Sequence, residues 1–115
     1  MIEVTVLNYL SGAVSVPVYT EVPEHPPDRF VVIEKVGERI RDYVRTTSIA
    51  VQSYCLSSLY GAASLDETVR EAMNEMAACL PNISRSHMES NYNFTDTRTK
   101  RYRYQCVYDI TYVKE

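Results

Sequence analysis

The 115-residue chain holds only three glycines and no tryptophan. With so few glycines, a glycine-rich loop that wraps a phosphate is excluded as its organising feature. There are three cysteines, Cys55, Cys79 and Cys106, far apart and each within an apolar pattern. An odd, widely spaced set gives neither a disulfide framework nor a paired metal-ligand motif, and all three read as small buried hydrophobes. No apolar run approaches the roughly 20 residues that span a bilayer, and no basic stretch followed by an apolar one opens the chain. A reducing, cytosolic setting with no membrane partner is the expectation. Basic residues are also scarce, 12 Lys and Arg against 15 Asp and Glu for a net charge of -3. Nucleic-acid binding draws on clustered cations that displace counterions, so no specific nucleic-acid partner is expected.

What is present is a hydrophobic fraction of 45% beside 23% charged residues, the composition of one folded domain. The clearest local signal lies in the last third. From Tyr102 to Tyr112, strand alternation puts Tyr102, Tyr104, Cys106, Tyr108, Ile110 and Tyr112 on one face. Met88, Ser90, Tyr92 and Phe94 share a parity in the run before it. Asp96 to Lys100 suit a hairpin loop between strands at about 83–95 and 101–113. Placing Thr95 opposite Arg101 then sets Tyr92 against Tyr104, Ser90 against Cys106, Met88 against Tyr108 and His87 against Asp109.

Upstream, Ile2, Val6, Tyr9 and Leu10 recur at helical spacing and favour a short helix over about 2–11, ended near Gly12, although the β-branched Val4, Thr5 and Val6 also suit a strand. A short extended segment at about 17–22 includes Pro17, which cannot donate to a ladder and marks an edge. Pro23, Pro26 and Pro27 make a stiff connector. Strands follow at about 30–36 and 43–54, with Gly37 to Asp42 as a charged loop between them. The run Phe30 to Ile33 can be covered on both faces. Over about 57–80 the period becomes helical: Ala62, Leu65, Val69, Ala72, Met73, Met76 and Leu80 line one face, with Asp66, Glu67, Arg70, Glu71 and Glu75 largely opposite. Ser57 or Ser58 can cap this helix, Ser64 and Glu67 also have capping-box spacing, and Pro81 stops it. The fold class is therefore α+β: a mostly antiparallel, mixed sheet of four to five strands packed on one long helix, with a short N-terminal helix.

No catalytic constellation emerges. His25 and His87 lie far apart, and His87 with Asp109 reads as an exposed cross-strand pair on a polar face. The tyrosines of the last strand, with Arg101 and Arg103 between them, have the ingredients for stacking single-stranded nucleic acid. Their parity with Cys106 and Ile110 favours core instead, with phenolic hydroxyls at its rim. The remaining features are two mixed-charge loop tips, and these supply the interface candidates: Glu38, Arg39, Ile40 and Arg41 in one, Asp96, Arg98 and Lys100 in the other. Ile40 among charges is a plausible anchor for a protein partner. No catalytic residue, metal site or cofactor is expected.

The order of several short strings carries a further signal. Val16-Pro-Val-Tyr-Thr-Glu-Val-Pro is followed by Phe30-Val-Val-Ile-Glu-Lys-Val-Gly, then Ile49-Ala-Val-Gln-Ser-Tyr, a helix with Ala62-Ala63, and a final strand pair with Arg101-Tyr-Arg-Tyr-Gln. In this order and total length the chain resembles the tail terminator, or tail completion, proteins of long-tailed bacteriophages, from about residue 5 to residue 113. The resemblance implies a non-enzymatic virion protein, assembled in the host cytoplasm and placed at the head-proximal end of the tail. It implies a hexameric ring of identical subunits that halts growth of the tube and offers a surface to the head connector. The expected partners are thus further copies of itself, the major tail tube protein and a connector or stopper protein. Another head-to-tail joining protein would share most of these traits.

Overall fold

A computed structural model describes residues 1–99 and 101–113. Helix α1 (Ile2–Ala13) leads into strands β1 (Val18–Tyr19), β2 (Arg29–Arg41) and β3 (Val44–Cys55), then helix α2 (Leu59–Cys79) and strands β4 (Ile83–Asn93) and β5 (Arg103–Val113). The strands form one sheet in the order β1-β2-β3-β5-β4, antiparallel except for the β1–β2 pair. The α+β expectation therefore holds, with a mixed sheet, a long helix and a short N-terminal one.

The two periodicities meet in one core. Ile2, Val6 and Leu10 of α1 and Leu65, Val69, Met73 and Met76 of α2 bury against Val31, Ile33, Ile49, Val51, Cys106, Tyr108 and Ile110 of the sheet. Helix α1 ends at Ala13, one residue past Gly12, and Val14 turns extended at φ -118 while its N–H still bonds Leu10. The Tyr9 hydroxyl donates to the Ala72 carbonyl at 2.6 Å, tying the helices together. Burial, with Cys79 and Glu75 nearby, pushes the Tyr9 hydroxyl up to about 12, so it stays a donor at any physiological pH.

At the start of α2, Ser58 is the cap: its Oγ accepts from the Gly61 N–H at 3.1 Å. The helix continues unbroken past Ser64. Gly61 is required by close approach, since a Cβ there would stand 2.5 Å from Cys55 Sγ. Two assignments need correction. Asp66 is buried, 1% exposed, and not on the outer helix face. It accepts from Arg70 Nε at 3.1 Å and from Asn91 Nδ2 at 2.9 and 3.0 Å, which fastens α2 to β4. Cys79, read as buried, is exposed at the last turn of the helix.

Phe30 to Ile33 is covered on both faces, as its unbroken apolar run suggests. Val31 and Ile33 face the helices, whereas Phe30 and Val32 join Tyr54 under Tyr19, Val22 and Leu56. The strand expected over 17–22 shrinks to two residues because only Val18 and Tyr19 pair with Val31 and Val32. In the C-terminal hairpin, His87 opposes Asp109 and Met88 opposes Tyr108, as expected. A bulge at Glu89 then shifts the register, so Ser90 meets Val107, Asn91 meets Cys106 and Tyr92 meets Gln105. Alternation alone carries no mark of such an inserted residue.

Candidate functional site

The largest departure from expectation is at Gly37 to Asp42. These residues are not a loop. After a bulge at Val36, β2 continues beside β3 through the pairs Gly37–Ser48, Glu38–Thr47, Arg39–Thr46, Ile40–Arg45 and Arg41–Val44. Glycine at 37 read as a breaker, but an inserted residue beside it absorbs the irregularity and the ladder resumes. Glu38, Arg39, Ile40 and Arg41 therefore lie on a strand, with alternate side chains on opposite faces.

Only Asp42 and Tyr43 make the turn, with φ 50 and 72. Two-residue turns with both φ positive match the twist of paired strands, and they favour Asn or Asp followed by glycine. Asp42 fits that rule. Tyr43 does not, because a Cβ in left-handed backbone crowds the carbonyl, at a cost of about 1 kcal/mol. Nor is the ring buried in return, since Tyr43 is 83% exposed. Around it Ile40 is 61% exposed, and Val44 and its cross-strand neighbour Val113 are exposed as well. A hollow of ≈ 630 Å³ runs along Arg39, Ile40, Arg41, Asp42, Val44 and Thr46. Arg39 approaches Asp109 at 3.6 Å, and Lys35, Glu38 and Arg45 form an ion-pair row on the helix side of the hairpin, at 3.0 and 3.4 Å. The bond from Lys35 to Glu38 raises the lysine pKa.

The second predicted tip lies at the other end of the sheet, since Val44 pairs with Val113 at one end and Tyr54 with Arg103 at the other. Asp96 Oδ1 accepts from the backbone N–H of Arg98 at 2.9 Å and of Thr99 at 3.5 Å, a local turn that holds its carboxyl below the usual range. The Asp96 backbone N–H also donates to the Arg101 carbonyl at 3.2 Å. Lys100 falls outside the described residues. The two sets of predicted interface residues are thus not brought together but occupy opposite ends of a molecule 44 Å long and about half as wide.

Beside this second tip runs a row that the sequence reading missed. On the sheet face away from the helices, Phe30 stacks on Tyr54 at 4.5 Å, and Arg103 lies over Phe94 at 4.3 Å and Tyr54 at 5.7 Å. Arg103 donates to the Tyr54 hydroxyl and the Phe94 carbonyl, and Tyr92 packs edge-on against Phe94. Gln52 bonds Gln105, which in turn bonds the Tyr92 hydroxyl. Of the tyrosine stripe of β5, Tyr104 and Tyr112 are half-buried, whereas Tyr108 is fully buried and its hydroxyl donates to Asn74 Oδ1 at 2.8 Å. Burial pushes that hydroxyl up to about 12.

His87 and Asp109 share a register position but engage other groups. His87 Nε2 stands 3.4 Å from Glu89, whereas Asp109 accepts from Ser48 Oγ at 2.6 Å. No imidazole is hydrogen-bonded to the Ser48–Asp109 pair among the described residues. Nor do three or more His, Cys, Asp or Glu side chains group to hold a metal ion there. No helix among those residues is long and apolar enough to cross a membrane. No protein-family model matches the chain, and no curated protein sequence matches it.

Proposed function

We propose that this protein is a structural component of a phage virion, forming a ring at the head-proximal end of the tail tube that stops tube growth and receives the head connector. The observation that carries the reading is the β2–β3 tip. A strained, exposed tyrosine stands with Ile40, Val44 and Val113 at the extremity of a hairpin. Apolar groups that the chain leaves in water at such a position are suited to a partner protein, and aromatic anchors dominate interface energy. Support also comes from the order of short strings, in which the chain resembles tail terminator proteins.

The geometry suits a subunit with work at both ends. A ring between tube and connector contacts one partner on each face, and its subunits need contact surfaces at opposite ends of a long axis. The β2–β3 tip lies at one end of the sheet, and the Asp96–Arg98 turn with Tyr92, Phe94 and Arg103 lies at the other. Identical subunits in a closed ring make heterologous contacts with one another, while the two ring faces differ. Growth halts when the face left exposed lacks the surface that adds the next ring. Electron microscopy of a gold-labelled copy on isolated tails and isolated heads tests the assignment. Label at the head-proximal tail end is expected. Label confined to heads assigns the chain to the connector side, and label on neither refutes the reading.

A further inference from the structure

We propose that, before assembly, two copies of this chain pair edge to edge along β2, antiparallel, about a two-fold axis at Gly37. Strand β1 covers β2 only at Val31 and Val32. From Ile33 to Arg41 that edge has no strand partner among the described residues. These nine residues give roughly 30 Å of sheet edge. Open edges of this length template pairing unless guarded. The other open edge, β4, is guarded by bulges at Ser84 and Glu89 and by Arg85 and His87. Along β2, Val36 and Ile40 stand 54% and 61% exposed.

The charge order selects the partner. Lys35 opposes Ile49 and Gly37 opposes Ser48, so Val36 is the inserted residue and Lys35 and Gly37 are consecutive steps of the ladder. Counted along that ladder, Lys35 and Glu38 stand one step on either side of Gly37. Glu34 and Arg39 stand two steps away, Ile33 and Ile40 three. A second, antiparallel copy centred on Gly37 therefore sets Lys35 against Glu38, Glu34 against Arg39 and Ile33 against Ile40, each twice. The sides agree as well. Lys35 and Glu38 lie on the helix side and bond each other within one copy, while Arg39 reaches Asp109 on the opposite side, where alternation also puts Glu34.

Neighbouring registers are disfavoured. A slip of one step brings Glu34 against Glu38 in one direction and Lys35 against Arg39 in the other, and directly opposed like charges destabilise a strand pair. Glycine suits the axis, where two side chains would meet their own copies. A Cβ at Gly37 would find nothing nearer than Ser48 at 4.0 Å, so its own chain does not demand glycine there. The contact is two-fold and hence distinct from a ring contact. It would cover Val36 and Ile40 until the protein meets its tube.

Sedimentation velocity of the full chain over a concentration series tests this pairing. The wild type is expected to dimerise with rising concentration. Glu34→Arg and Arg39→Glu should each weaken the dimer at least about tenfold, because two opposite-charge pairs become like-charge pairs in every dimer. An equimolar mixture of the two variants should dimerise again, since every arginine then faces a glutamate. The double variant in one chain should dimerise alone. A wild type that stays monomeric throughout overturns the proposal, as do single variants that dimerise normally or a mixture that does not recover. Tube length is a separate readout, so failure here is distinguishable from failure of the ring assignment.

Discussion

Tyr43 offers a test in which fold and function pull in opposite directions. Its backbone is held at φ 72 in a turn position suited to glycine, and its ring is 83% exposed. Tyr43→Gly removes the left-handed penalty of about 1 kcal/mol and loses almost no buried surface. For a domain of this size, that gain corresponds to a rise in melting temperature of about 4 °C. Thermal denaturation at a dilution where the protein is monomeric measures it. If the ring is an assembly anchor, the same substitution should weaken attachment to the tube, where a buried aromatic contact contributes about 2 kcal/mol or more. Tyr43→Ala separates the two effects: it deletes the ring without relieving the backbone, so attachment should fall with no gain in stability. A Tyr43→Gly variant less stable than wild type would show that contacts within the chain hold the ring. A stabilised variant that caps tubes as well as wild type would show that Tyr43 is not an anchor.

Further expectations concern the fold. Gly61→Ala should destabilise by about 1–3 kcal/mol in urea denaturation, because the new methyl would lie 2.5 Å from Cys55 Sγ, and Cys55→Ala in the same chain should recover part of the loss. Arg103→Ala should cost about 1–2 kcal/mol, since it removes the bonds to Tyr54 and the Phe94 carbonyl together with the stacking on Phe94. Asp66 sets a pH dependence. Burial raises its pKa, against the opposing pull of Asn91 and Arg70, so the folded state binds its proton more readily than the unfolded chain does. Its contribution is then greatest below the unfolded carboxylate range and declines as pH rises through the raised folded value. Stability profiles of wild type and Asp66→Asn should show the wild type losing relative stability across that window.

The helices, the sheet and most of the core were legible because their signals are periodic. The spacing of Leu65, Val69, Met73 and Met76 and the alternation of Cys106, Tyr108 and Ile110 each mark one buried face. What escaped was aperiodic. The bulges at Val36 and Glu89 insert one residue without altering composition, and they decide respectively that β2 runs on to Arg41 and that Tyr92 meets Gln105. Asp66 looked solvent-facing because a carboxylate is normally excluded from a core. Its burial depends on Asn91, 25 residues later, and no local pattern reports that partner. Glu38 to Arg41 were expected in a charged loop but lie on a strand, and the two residues that form the turn, Asp42 and Tyr43, were not singled out.

A protein that ends a growing tube must set its length. Tube subunits from the same virion, polymerised with and without the purified protein, can be measured by electron microscopy. Shorter tubes are expected as the protein is added, with a ring of density at one end only. Length distributions that do not change, or density along the whole tube, would contradict it.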